Sequence, residues 1–257
     1  MSIHPTAIIS KKAKIKKNIQ VAAYAIIEDD VEIGDDCNIG PHVVIYNGAR
    51  IGNRVTVHQA ALISHIPQDL KFNNEYSLFY IGDDTKIYEY VTLHRATKET
   101  GFSKVGKNCL LMAYSHVAHD SVLGNNCILA NGVQIAGHVE IDDNVIIGGF
   151  TAVHQFCKIG KHSMIGGGYR ITQDVPPFIL AANEPLKYKG LNLVGLKRKG
   201  FSNEDINSLK KTYQYIYSTS LNISQAKEKI KNELAGNKYV EDVLTFLDSS
   251  NRGLIGK

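Results

Sequence analysis

A chain of 257 residues with a formal charge of +4 can bury a sizeable core in one large domain, or in one domain with an appendage. The charge is too mild to force a nucleic-acid footprint, no apolar run approaches the ~20 residues of a membrane span, and the start MSIHPTAIISKKAK lacks the apolar segment of a signal peptide. Cys37, Cys109, Cys127 and Cys157 stand far apart with no Cys-x-x-Cys pair, which argues against a structural zinc site and fits a reducing, cytoplasmic setting.

From Ile3 every sixth residue is aliphatic through Ile63, again at Ile81, Ile87 and Leu93, and again from Val105 to Ile171; only Asp69, Glu75 and Glu99 break the series. Neither an amphipathic helix nor an alternating strand has this period. Glycine often follows the aliphatic residue, as at Gly34, Gly106 and Gly124, and the fifth place is small or β-branched. All four cysteines fall on that fifth place, which makes them corner fillers rather than nucleophiles. A short strand and a corner repeated every six residues predict a parallel β-helix; three faces would make a coil of eighteen residues, and the period by itself fixes neither that three-sided section nor the handedness. Residues 1–176 are assigned to this β-helix.

The interruptions at 64–80 and 94–104 carry polar and turn-forming residues and predict loops, which on a rigid scaffold are disproportionately functional. After Ile171 the two prolines of QDVPPF end the coil, so 177–257 is read as a linker and a C-terminal helical domain. There Ser202 and Asp205 form a capping-box pattern ahead of an apolar stripe of Ile206, Leu209, Tyr213, Ile216 and Tyr217. A second helix is expected from about Ser224 and a third from Tyr239 to Leu247. Between Lys187 and Lys211 seven Lys or Arg face only Glu204 and Asp205, which suits phosphates or an acidic partner and equally a solvated helical surface. Lys11, Lys12, Lys14, Lys16 and Lys17 read as an exposed flank.

Val117, Ile135 and Val153 are eighteen residues apart and therefore share a face on three successive coils. His119, His138 and His154 follow them closely, so three imidazoles are expected on neighbouring rungs, with His116 at the corner just before. Such a cluster could hold zinc for a hydration, supply a general base acting on an alcohol, or make ordinary surface hydrogen bonds. No glycine-rich nucleotide loop or nucleophile elbow stands out, so direct attack by a deprotonated substrate fits better than a covalent intermediate.

The stretches IHPTAI, QDLKF, VTLHRAT, HVAHD, IAGHVEIDD, GGFTAVHQFCKIG, QDVPPF, GLKRKGFS and NRGLI, in this order over nearly the whole chain, closely resemble the UDP-N-acetylglucosamine acyltransferases of lipid A biosynthesis. The resemblance implies a left-handed parallel β-helix of hexapeptide repeats with a C-terminal α-helical domain, a homotrimer, and active sites between adjacent subunits. It implies transfer of an (R)-3-hydroxyacyl group from acyl carrier protein to the 3-hydroxyl of UDP-GlcNAc, with no cofactor and no metal. His119 matches the family's general base, Asp120 its neighbouring aspartate and the Gly137 N–H its oxyanion donor. Gln68, Asp69 and Lys71 match contacts to the sugar nucleotide, and His116, His138, His154 and Gln155 match residues lining the cleft. Asn192, Arg198 and Lys199 match the tail's contacts to UDP or carrier phosphates, and Gly167 the acyl-chain ruler. Lys199 stands where relatives carry arginine, and Val194 where they carry an acid. Alternatives are a related acyltransferase acting on an amino-sugar nitrogen or a later lipid A intermediate, a zinc-dependent β-helix hydratase, and a β-helical scaffold.

Overall fold

A computed structural model describes residues 2–257. The hexads form strands of mostly two residues that stack into three parallel sheets, one on each face of a triangular solenoid. The first face begins with Ser2–Ile3, the second with Ile8–Ile9 and the third with Lys14–Ile15. Gln20 pairs with Asn38, Val44 with Leu62 and Glu32 with Arg50, which fixes the eighteen-residue coil on every face. The chain is thus the expected parallel β-helix of hexapeptide repeats with helices at its C-terminal end.

The aliphatic member of each hexad points inward, and Val117, Ile135 and Val153 are all buried. Three places later the backbone turns most corners with positive φ, at Asn108, Asp120, Asn126, His138, Asn144 and Phe156 among others. Asn, Asp and His tolerate this region better than most non-glycine residues. The cysteines are buried in the corners as expected, and burial pushes the Cys157 thiol up to about 11.

Thr56 pairs with Lys86 and Lys86 with Leu110, so two successive coils carry extra chain, two hexads' worth and then one. Both insertions leave the same corner, between second-face strands Leu62–His65 and Thr92–His94 and third-face strands Leu78–Ile81 and Phe102–Val105. They brace one another: the Lys98 amide donates to Glu75 at 3.2 Å, and the Ser77 hydroxyl to the Ala96 carbonyl at 2.5 Å.

The segment after the prolines differs from the linker read in the sequence. Ile179–Ala182 pairs in parallel with the last first-face strand, and Lys187–Leu191 folds back antiparallel on it; the prolines leave the solenoid's period without ending its sheet. Four helices follow, α1 (Leu193–Arg198), α2 (Asn203–Ile216), α3 (Ile223–Glu233) and α4 (Lys238–Ser249). The first was not expected. The Ser202–Asp205 capping box is formed, and Asn222 with Gln225 makes a second at α3. Asp174 of QDVPPF is buried and holds the end of the chain, accepting from the Ser250 hydroxyl at 2.7 Å and from the Asn251 and Arg252 amides at 3.1 Å. Among the described residues no helix is long and apolar enough to cross a membrane.

Because each inward residue packs against the coils above and below, Ile135→Ala, at a fully buried rung, should lower unfolding free energy by about 2–5 kcal/mol. Urea unfolding at fixed protein concentration reads this directly.

Candidate active site

The corner that carries both insertions also carries the ionisable side chains. On three successive coils its two turn residues are His119 and Asp120, Gly137 and His138, and Gln155 and Phe156. Coil stacking sets these pairs one above another, while Gln68, Asp69, Leu70 and Lys71 of the first insertion and Glu99 of the second close the front. The result is a cavity of about 540 Å³ lined by these residues together with His119, His138, Gln155 and Phe156.

Neighbouring residues on a strand point to opposite faces, yet His119 Nδ1 lies 2.7 Å from Asp120 Oδ2. The positive φ of Asp120, 59°, resolves this: the pair sits in a turn, where side chains need not alternate. The Asp120 side chain is fully buried. Its carboxylate accepts from the Thr97 amide at 3.1 and 3.2 Å and from the Thr100 hydroxyl, while its own amide donates to Ser103 Oγ at 2.8 Å. Burial by itself pushes this carboxyl up, but hydrogen bonds from His119, Thr100 and Thr97 outweigh it and hold the group below the ordinary carboxylate range. An ionised carboxylate can only accept, so Nδ1 of His119 carries a proton, and in the neutral ring Nε2 is the nitrogen with the free lone pair.

The ring lies directly over Gly137, where a Cβ would stand 2.7 Å from Cε1 and 2.9 Å from Nε2. Absence of a side chain is therefore what lets the imidazole occupy this rung. The Gly137 amide donates to no acceptor among the described residues, and neither do the equivalent amides of His119 and Gln155. A free N–H is thus a property of this corner, and Gly137 is distinguished by its closeness to the imidazole. His138 packs edge-on to His119, centroids 5.3 Å apart, and stacks on Phe156 at 4.7 Å. Its Nε2 lies 3.8 Å from Asp120 and 3.6 Å from Glu99.

His119, Asp120 and His138 bring ligand atoms within 4.8 Å of one another. This is not the three-imidazole set that a hydratase reading needs. His154 is exposed, outside the cavity lining, with Nδ1 3.1 Å from the Gln155 carbonyl, because it falls on the first place after Val153 rather than in the turn. Nδ1 of His119 is also already committed to Asp120.

His116 sits on the strand His116–Val117 and not at a corner. Its Nδ1 is 2.7 Å from Thr92 Oγ1, and burial lowers its pKa. Beneath it lies His94, which the sequence reading passed over. Its ring is buried, 4.8 Å from that of His116, and burial, followed by the neighbouring imidazoles, pushes it down to about 3. Thr97, Thr100, Glu99 and Phe156 were likewise not singled out; only the break of the aliphatic series at Glu99 marked its segment.

The remaining candidates lie elsewhere on the same chain. Asn192 caps α1, its side chain accepting from the Gly195 amide at 3.2 Å and donating to the His162 carbonyl at 3.0 Å. His162 turns the corner between the third and first faces, so Asn192 is at a different edge of the prism from His119. Arg198 and Lys199, at the end of α1, are exposed and make no ion pair among the described residues. Gly167 is at the remaining corner, between the first and second faces, close against Gly149.

A family model described as bacterial transferase hexapeptide (six repeats) matches residues 12–47, 30–65 and 102–137, which makes this triangular solenoid with an imidazole–carboxylate pair at one corner a transferase of the hexapeptide class. A second model, described as UDP N-acetylglucosamine O-acyltransferase, domain 2, matches residues 174–255. The acyl-(acyl-carrier-protein)–UDP-N-acetylglucosamine O-acyltransferase of Syntrophobacter fumaroxidans is 42% identical over 99% of this chain and 100% of its own length. That of Aliarcobacter butzleri is 43% identical over 98% and 97%. The solved UDP-N-acetylglucosamine acyltransferase of Bacteroides fragilis superposes with a TM-score of 0.96 at 44% identity, covering 98% of this chain and 99% of that one. The chain belongs to the UDP-N-acetylglucosamine O-acyltransferase family.

Gly137→Ala places a methyl group 2.7 Å from the His119 ring, closer than van der Waals contact allows. It should leave the far-UV circular dichroism and melting temperature close to those of the parent while cutting kcat/KM for acyl transfer by about 10²-fold through misplacement of the imidazole.

Proposed function

We propose that this chain transfers an (R)-3-hydroxyacyl group from acyl carrier protein to the 3-hydroxyl of UDP-GlcNAc, the first step of lipid A biosynthesis. The observation that carries the reading is the His119–Asp120 pair facing a cavity rimmed by Gln68, Asp69 and Lys71. Nε2 of His119 takes the hydroxyl proton as the sugar oxygen attacks the thioester carbonyl carbon. The Gly137 amide donates to the oxyanion that develops. Collapse of the tetrahedral species breaks the C–S bond, and the imidazolium returns its proton to the departing thiolate. Asp120 keeps Nδ1 protonated throughout and faces the positive charge as it forms. No cofactor is needed for this sequence.

The working form we propose is a homotrimer, because one chain separates residues that one site would use. Leu110, Ile128, Ile146, Met164 and Leu180 stand in register as an apolar column on the outside of the first face. Tyr90, Tyr114 and Phe150 are exposed along the adjoining corner, and Leu70, at the tip of the first insertion, is fully exposed. Contiguous exposed apolar surface of this kind marks an interface. Closing three copies about that aromatic corner sets the second face of each against the first face of the next. The His119 corner of one subunit then meets the Asn192, Arg198 and Lys199 corner of its neighbour, which places two free cations beside the acceptor's phosphates. The exposed segment around Lys197, Arg198 and Lys199 is also the candidate dock for the acidic carrier protein, and Gly167, close against Gly149 on the aromatic corner, is the candidate acyl-chain ruler.

Purified protein given UDP-GlcNAc and a panel of 3-hydroxyacyl carrier proteins should yield singly acylated product by mass spectrometry, and His119→Ala should lose at least about 10²-fold in rate. Near-parental rates in that variant would reject the assigned base. A two-subunit site also predicts complementation. His119→Ala and Arg198→Ala, each impaired alone, should recover about a quarter of the parental activity when co-assembled, since random mixing rebuilds that share of intact clefts. Recovery confined to the mean of the two variants alone would place the whole site on one chain.

A further inference from the structure

The second insertion does more than wall the cavity. It supplies every side-chain or backbone donor that holds Asp120, apart from His119 itself: the Thr97 amide and the Thr100 hydroxyl, with Ser103 at its end receiving the Asp120 amide. The two carboxylate oxygens are divided between different partners. Oδ2 takes His119 Nδ1 at 2.7 Å, Oδ1 takes the Thr100 hydroxyl, and the Thr97 amide is shared between them at 3.1 and 3.2 Å. The Thr100 hydroxyl has one proton and two acceptors within reach, the Phe102 carbonyl being 3.0 Å away. A charge-assisted bond to an ionised carboxylate is the stronger of the two, so the proton goes to Asp120.

We propose that Thr100 is a positioning residue for the catalytic imidazole: by occupying Oδ1 it leaves Oδ2 as the acceptor for His119 Nδ1–H, which fixes the tautomer whose Nε2 is the free base. This deepens the acyltransferase reading and rests on it for its kinetic consequence, though not for its structural one. Without the hydroxyl, a fully buried Oδ1 keeps only a shared amide. The carboxylate is then free to rotate about its Cβ–Cγ bond and to turn toward His138, whose Nε2 already lies 3.8 Å from Oδ2. Either motion loosens His119, and the Nε2-protonated tautomer, which cannot accept the substrate proton, becomes populated. Thr100 is itself exposed, on a loop, so its replacement tests the hydrogen bond and not the core. It contacts His119 only through Asp120, which is why its effect should fall on turnover rather than on acceptor binding.

Two variants and two readouts decide this. Thr100→Val removes the hydroxyl at nearly constant shape, and Thr100→Ser restores it. In steady-state assays with saturating acyl carrier protein substrate, Thr100→Val should lose about tenfold in kcat, the scale expected when a buried charged acceptor loses a donor, with KM for UDP-GlcNAc changed by less than about threefold, and Thr100→Ser should return to within about twofold of the parent. Independently of activity, ¹⁵N spectra of histidine-labelled protein, with the His119 signals assigned by their loss in His119→Ala, should show a single Nδ1-protonated tautomer in the parent and in Thr100→Ser, and a mixture in Thr100→Val. Parental kcat in Thr100→Val, a loss confined to KM, a Thr100→Ser variant as poor as the valine, or an unchanged tautomer in Thr100→Val would each overturn the assignment. If the parent transfers no acyl group at all, the acyltransferase reading falls, and the tautomer measurement still decides the role of Thr100.

Discussion

Each coil of this protein must land on the one beneath it, and that single requirement organises everything else. Backbone amides of one coil donate to carbonyls of the next, as Ala118 does to Ile135 and Ala136 to Val153, at 3.0 and 3.1 Å. Residues eighteen apart therefore share a vertical line. Inside the solenoid the lines are aliphatic and form the core; at the corners they are turn residues, and whatever chemistry they carry is stacked at the strand spacing of ~4.8 Å. Stacking alone brings together a pair of side chains on one coil, a bare glycine on the next and a glutamine on the third, and the insertions close the cavity in front of them.

The scaffold supplies position but not orientation. A two-residue turn does not by itself fix an imidazole, and an isolated carboxylate this deeply buried would resist ionisation. Both deficits are met by the second insertion, which leaves the solenoid one coil below and returns carrying Thr97, Thr100 and Glu99. Regular elements set where Asp120 is, and irregular chain sets which way it faces and that it stays charged. The first insertion braces this loop through Glu75 and Ser77, so the two excursions act as one support for a single acid–imidazole pair.

How much of this could be read from the sequence follows the same division. The period, the inward residues, the burial of the cysteines and the corner of each hexad were all legible, since they depend only on position modulo six. The insertions kept that phase, which is why Ile81 and Val105 remained in the series. His119 and Asp120 are legible in HVAHD, but their contact is not, since residues adjacent on a strand would point apart and only the left-handed turn at Asp120 brings them together. Counting rungs sets His154 and His116 on the same coils as the cluster, but His154 falls one place short of its turn and His116 on the strand that precedes its own. Thr97 and Thr100 had no periodic signal at all. Asn192, Arg198 and Lys199 belong to another edge of the prism, and no pattern along one chain can bring two edges together. The extra strands at 179–191 were hidden because the two prolines break the hexad register while leaving the sheet edge open for pairing.

Asp120, His138 and Phe156 all occupy turn places with φ near +60°, a conformation that glycine and asparagine adopt at least expense and a phenylalanine only under compulsion. Such bends carry rings on every edge, Tyr90, Tyr114 and Phe150 on the aromatic corner and His162 beside Asn108, Asn126 and Asn144 on the third, so a costly conformation alone does not mark the site. The acids at the other bends, Asp36 and Asp84, are exposed, whereas Asp120 is buried. A left-handed bend and a desolvated charge thus fall on one residue, and there the demands of turnover have prevailed over those of durability.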